Sequence, residues 1–372
     1  MKVLPAFSLL FQCPKPILML CCLTIGSCYL LKPPINYVNT SSFDLTIQPT
    51  NENTLSFGDT LFLIKDDKSK PYYFFQRFST GVCFDNKCRP LDITLYWNTT
   101  GRYLGFEMPE GEFLSKTDHD PFSKKEYLQL NEILCNTELP FKDIQYNELM
   151  NQPEKTAESE DAISGATSEW IQDIVVKNAA YTTYKLWKLA YGESQKFIQQ
   201  FTSNHLDAQY LLSILNSTNR QDIIWGLAHV KDTLSFSTPL INRLSLLIQV
   251  DDPYLSYNAV HALPKAFLND SNFQETLFSS YLKTTDASTK NALVRKLKSA
   301  PQLSKKLLVK SRQEMQSLAP QEISDLLQLY KKQQINDSAT LETVRTLKNH
   351  HNAYIVNLAK DFLKEKEENA DQ

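Results

Sequence analysis

The sequence predicts two domains of different class. An α+β N-terminal domain with an antiparallel sheet comes first, and an all-α domain of repeated helical pairs follows. Three observations predict this. Between Leu55 and Met108 the chain is aromatic and β-prone, with short apolar runs separated by turn residues. From His205 onward no Gly occurs after Gly226, and helical stretches alternate with short polar turns. Two windows, Asp252/Leu255/Ala259/Leu263 and Asn352/Ile355/Ala359/Leu363, repeat one pattern: a polar start, then apolar, Ala and Leu positions. Their offset equals three units of roughly 33 residues, within the range of helical-pair solenoids.

The first 27 residues read as a signal peptide. Lys2 and Lys15 form its basic region and Ile17 to Ile25 its apolar core, too short to span a bilayer as a helix. The ending Ile25-Gly26-Ser27-Cys28 resembles a bacterial lipobox, which implies Cys28 as the lipidated first residue of the mature chain. A cleaved, non-lipidated signal is the alternative. The expected location is therefore outside the cytosol, lipid-anchored to a bacterial membrane on its periplasmic or cell-surface side.

Residues 28–52 are polar and rich in Pro and Asn, and read as a tether. The α+β domain is assigned to 53–200. Its strands are expected at Tyr72 to Phe75, Gly81 to Phe84, Leu91 to Trp97 and Arg102 to Glu107, with turns at Asp85-Asn86 and Asn98 to Gly101. Leu91, Ile93, Leu95 and Trp97 alternate along one strand and predict one buried face. Phe122 to Cys135 reads as an amphipathic helix, with Ser123 and Glu126 forming a capping box. The helical domain is assigned to 201–366. Asp252-Pro253 with Ala259 and Leu263 resembles a HEAT-type inner helix; an irregular helical bundle is the alternative. Residues 367–372 form a charged tail, and the mixed-sign run that leads into it reads as a solvated helix end.

Asp161-Ala162-Ile163-Ser164-Gly165-Ala166-Thr167 stands where an acidic loop, residues 151–160, gives way to a long apolar-periodic segment. With only 9 Gly in 372 residues, a Gly among hydroxyl residues at a helix start is notable. Helix N-termini present unpaired N–H groups that suit a phosphate. Without any cofactor, the same residues would serve as a Ser/Thr-capped helix start. The pattern Asp-x-x-Ser-Gly-Ala-Thr resembles the attachment sequence of the FMN-binding domain family. That resemblance implies FMN joined through its phosphate to Thr167 by a flavin transferase, with Asp161, Ser164, Gly165 and Ala166 as recognition elements. The family's upstream Glu-Thr-Pro-Gly segment has no close copy; His119-Asp120-Pro121-Phe122 is the nearest. Ile171, Ile174, Val175, Ala179, Leu186 and Ala190 continue the stripe after the motif, while Tyr181, Tyr184, Trp187 and Tyr191 add aromatic bulk for a core or a flavin ring.

A formal net charge of −3, about −5 without Lys2 and Lys15, argues against nucleic acid as a partner. Cys83 and Cys88 straddle a short turn and are a disulfide candidate in an oxidising compartment, with a redox-active pair as the alternative. Cys135 is expected to be a buried apolar residue. No haem-attachment or paired metal-ligand pattern occurs, so no metal is expected. Asn98 and Asn216 sit in Asn-x-Ser/Thr sequences that matter only in a glycosylating host. The function these readings imply is electron transfer by a membrane-anchored flavoprotein whose helical repeats dock a redox protein partner. The alternatives are a non-redox surface lipoprotein that binds a protein through its repeats, and a flavin-dependent reductase with its own small substrate.

Overall fold

The computed structural model describes residues 35–38, 53–55, 60–66, 69–82, 89–117, 119–145, 148, 169–231 and 234–368. Six antiparallel strands make one sheet in the order β1-β6-β5-β4-β3-β2: β1 is Ile35–Asn36, β2 Asn53–Leu55, β3 Leu61–Lys65, β4 Pro71–Thr80, β5 Leu91–Asn98 and β6 Tyr103–Met108. Ile35 and Asn36, inside the segment read as a tether, pair with Met108 and Glu107 and form an edge of the sheet. β4 ends at Thr80, so Gly81 and Val82 lie outside any strand and the strand expected at Gly81 to Phe84 does not begin there.

The expected face of β5 is buried: Leu91, Ile93, Leu95 and Trp97 are all at most 3% exposed. They pack with Leu61, Phe74, Phe106 and Met108 against three helices: α1 (Lys124–Cys135), α3 (Ala180–Ala190) and α4 (Glu193–Asn204). Trp97 is anchored by donating its indole N–H to the Ala190 carbonyl at 2.7 Å. The opposite face carries a second apolar cluster of Val38, Ile64, Tyr73, Phe75, Tyr96 and Leu104. Period-2 alternation therefore places apolar residues on both faces of the sheet.

α1 begins with the expected capping box: Ser123 Oγ accepts from the Glu126 N–H, and the Glu126 carboxylate accepts from the Ser123 N–H at 2.7 Å. Cys135 at its end is exposed rather than buried, because Leu130 and Leu134 occupy the inward positions of that turn. The apolar stripe after the motif is not one helix. A single turn, α2 (Glu169–Gln172), is followed by a break before α3. Asn178 in that break has φ of 59°, a left-handed backbone that ends one helical course and starts another.

Ten further helices complete the chain: α5 (Ala208–Leu215), α6 (Arg220–Ala228), α7 (Thr238–Ile248), α8 (Pro253–Ala262), α9 (Ser271–Lys283), α10 (Ala287–Lys298), α11 (Lys305–Glu314), α12 (Pro320–Lys332), α13 (Ser338–Thr346) and α14 (Ala353–Glu368). Each odd-numbered helix packs on the next odd one and each even-numbered helix on the next even one, so the helices lie in two rows. The residues preceding the even helices, Asn219, Asp252, Asp286, Ala319 and Asn352, are 33, 34, 33 and 33 residues apart. Most are caps: Asp252 accepts from the Tyr254 and Leu255 N–H groups, and Asp286 from that of Thr289. Seven residues after each cap stand Gly226, Ala259, Leu293, Leu326 and Ala359, all buried. One core runs through the whole stack from Leu211 to Leu363.

Candidate functional site

The motif residues Asp161, Ser164, Gly165, Ala166 and Thr167 lie outside the described residues, as do Cys28, Cys83 and Cys88. The segment after the motif is firmly held. Ile171, Val175 and Val176 are at most 2% exposed in the core beneath the sheet. The Val175 carbonyl accepts from Gln129 of α1 at 3.4 Å, and the Val176 N–H donates to Thr183 Oγ1 at 3.2 Å. The Asn178 carbonyl accepts both the N–H and the hydroxyl of Thr117, at 2.8 and 2.9 Å. Thr182 donates to the Val82 carbonyl at 3.1 Å, which brings the residue before Cys83 to the start of α3. The chain leaving Thr167 thus enters the rigid part of the α+β domain within a few residues.

The aromatic residues of α3 are committed to that core. Trp187 donates to the Asn136 carbonyl at 3.0 Å, the Tyr191 hydroxyl to that of Leu134 at 2.6 Å, and the Tyr184 hydroxyl to that of Ile144 at 3.1 Å. Trp187 also packs on Tyr191 and edge-on to Phe141. These bonds cap the carbonyls at the end of α1 and in the segment after it. Burial raises the Tyr184 and Tyr191 hydroxyls above the ordinary tyrosine value. The polar atoms of Tyr184, Trp187 and Tyr191 thus each donate to a backbone carbonyl of the sheet domain. His119 to Phe122 forms a tight turn: His119 has φ of 65° and Ser115 bridges to Pro121.

On the other face of the sheet lies an open cleft of about 570 Å³ lined by Arg77, Ser79, Asp92, Thr94 and Glu107 among others. The Arg77 guanidinium sits 5.3 Å and 5.4 Å from the ring centres of Phe62 and Phe75. Phe75 in turn stacks on Tyr96, whose hydroxyl donates to Glu107 at 2.5 Å. The cleft lining itself holds one cation and two carboxylates, Arg77, Asp92 and Glu107, and the aromatic cluster lies beside it on the same sheet face.

A buried polar cluster at the β5–β6 turn was not flagged by the sequence. Asp222 of α6 is 3% exposed and reaches into the β5–β6 turn. Its carboxylate accepts from Asn98 Nδ2 at 2.7 Å, Thr100 Oγ1 at 2.8 Å, both Nε and Nη2 of Arg102 at 3.0 Å, and Ser217 Oγ at 2.8 Å. Burial alone raises such a carboxyl, but Arg102 and the hydroxyls outweigh it and hold Asp222 below the usual carboxylate range. Around it, Gln195, Gln199 and Thr202 of α4 donate to the carbonyls of Gly101, Thr100 and Thr99. The cluster locks the tip of the sheet to the first helical pair. Asn98 is itself part of this junction, donating to Asp222 and accepting from Thr100 and Arg102. The signal in the sequence was a lone acid between Arg220 and the apolar run Ile223 to Trp225.

Among the described residues no three His, Cys, Asp or Glu side chains are grouped to hold a metal ion, and no helix is long and apolar enough to cross a membrane. No protein-family model, no curated protein and no solved structure matches the chain.

Proposed function

We propose that this chain is an exported electron-transfer flavoprotein, anchored to a bacterial membrane through Cys28, carrying FMN as a phosphoester on Thr167 placed by a flavin transferase. Its helical pairs, HEAT-like in pitch, are the docking platform for a redox protein partner. The observation that carries the reading is the placement of α2: its first residue lies two positions after Thr167, and Ile171 is fully buried in the core shared with the sheet. A phosphate on Thr167 is thereby tied to a rigid body, and the Asp222 junction ties that body to the helical stack. The flavin supplies the one- and two-electron chemistry; the chain's own residues hold the attachment point and fix its position relative to the partner surface. Co-expression with a flavin transferase is expected to give a fluorescent protein band that survives denaturation and vanishes in Thr167→Ala.

A second reading, a non-redox surface protein that binds a partner through its helices, is favoured by the continuous stack itself, which presents an extended face without any cofactor. It predicts a band without fluorescence in both proteins.

A further inference from the structure

From the positions of its unpaired cations we infer that the edge of the helical stack around the α10–α11 turn docks an acidic, extended segment of a partner protein. The inference names the chemistry of the partner in the function proposed above, and it rests on that reading only for the partner's redox role. Residues 283–312 contain nine Lys or Arg and one acid, Asp286, a net of +8 in a chain whose formal charge is −3. The remainder of the chain is thus at −11, and the positive charge is concentrated in α10, α11 and the turn between them.

Part of this charge is internal to the stack. Lys290 pairs with Glu322, Lys310 with Glu275 and Arg312 with Asp337, and each pair bridges neighbouring helices. Lys283 lies at the far end of α9, and the other five gather at one edge. Lys296 Nζ reaches the Leu263 carbonyl at the end of α8 at 2.8 Å. Lys298 reaches Gln328 of α12 at 3.0 Å, and Lys306 reaches Asn272 in the first turn of α9 at 2.8 Å. The ends of α8 and α10 and the starts of α9 and α11 therefore share this edge. Lys265, Arg295, Lys305 and Lys332 are exposed there. Among the described residues, no carboxylate pairs with any of the four.

Helix electrostatics accounts for only half of this. Cations in the last turn of α10 suit the negative end of its dipole, whereas Lys305 and Lys306 in the first turn of α11 oppose theirs. Charge placed against the local field, on side chains that no carboxylate pairs among the described residues, fits an external anion. Acidic N-caps on this edge, Asp270 and Asp337, have oxygens already accepting backbone N–H groups. Adjacent helices in a row lie roughly 8–10 Å apart. An extended peptide advances about 3.3 Å per residue, so some nine residues with alternating acids span three pairs.

The test is titration of a fluorescein-labelled twelve-residue oligoglutamate peptide into the full chain at low salt, read by anisotropy, using protein made without a flavin transferase. The expected result is saturable binding that weakens about tenfold or more in R295Q/K298Q/K305Q/K306Q and with rising salt. A control that neutralises as many cations elsewhere, K124Q/K125Q/K177Q/K348Q, is expected to bind like the parent. If the quadruple edge variant melts earlier than the parent, R295Q/K305Q carries the test, since neither side chain bonds to the fold. Equal weakening in edge and control variants, or no binding by the parent, overturns the inference. So does tighter edge-dependent binding of a single-stranded DNA twelve-mer or of phosphatidylglycerol vesicles, which would assign the edge to another class of anion. Because no flavin is present, none of these outcomes bears on Thr167.

Discussion

Asp222 shows how much can hang on one side chain. It is buried, it accepts five hydrogen bonds, and its donors come from the end of β5, the β5–β6 turn and the α5–α6 turn. Removing one partner of such a pair leaves the other charge stranded, typically at about 3–5 kcal/mol. Asp222→Ala is therefore expected to lose about that much in urea unfolding and to split one transition into two, as the sheet domain and the stack uncouple. A single transition with less than about 1 kcal/mol lost would contradict the junction. Acid acts through the same kind of residue. The Arg220 hydrogen bonds hold the Asp252 carboxyl down at about 2, and Asp222, Asp286, Glu322 and Asp337 also lie below their ordinary values. A carboxyl lowered in the folded state contributes stability above its unfolded pKa and loses it as pH falls through the folded one. The melting temperature is expected to hold steady above about pH 5 and to fall between about pH 4 and 2, and Arg220→Gln is expected to lower the plateau and make the fall shallower, because Asp252 then has less stabilisation to lose. At this scale the sequence was partly legible. Asn98 to Gly101 announces a turn by composition, but nothing in composition tells that a distant helix supplies the acid it binds.

At the scale of elements, local signals carried well where they were strong. The capping box at Ser123 and the alternation in β5 are dictated by neighbouring residues, and both stand as expected. The apolar stripe from Ile171 to Ala190 misleads, because Val175 and Ala179 face the core from a non-helical break between two helices, a break that contains the left-handed Asn178. Helical spacing reports which residues face the core, not whether the backbone between them is continuous. Cys135 fails for a similar reason: an apolar side chain one step past Leu134 has rotated out of the core. The repeat was visible as two windows, and the caps between them place the missing units 33 or 34 residues apart. Leu293 fills the seventh position of the middle unit and is fully buried. Leu293→Ala is expected to destabilise by about 2–5 kcal/mol in urea unfolding, whereas the exposed Leu128 tolerates Gln within about 0.5 kcal/mol. Similar losses at both positions would contradict the two-row packing.

For the whole molecule, the division into a sheet domain and a helical stack follows from periodicity, and the contacts between them follow from chemistry that periodicity does not encode. One domain holds the segment after Thr167 in its core; the other offers five helical pairs and a basic edge. The Asp222 junction makes them a single body, so a group fixed on the first domain keeps its distance from whatever binds the second. Hydrogen exchange is expected to show the α6 amides and the β5–β6 turn protected together, and exposed together in Asp222→Ala. The central claim concerns the cofactor, and it is tested most directly by intact mass of the mature chain purified after co-expression with a flavin transferase. The account predicts a mass increase of one FMN less one water, located by peptide mapping to Thr167 and absent from Thr167→Ala. An unmodified mass with the transferase active on another substrate in the same cells, or an adduct on any other residue, would contradict it.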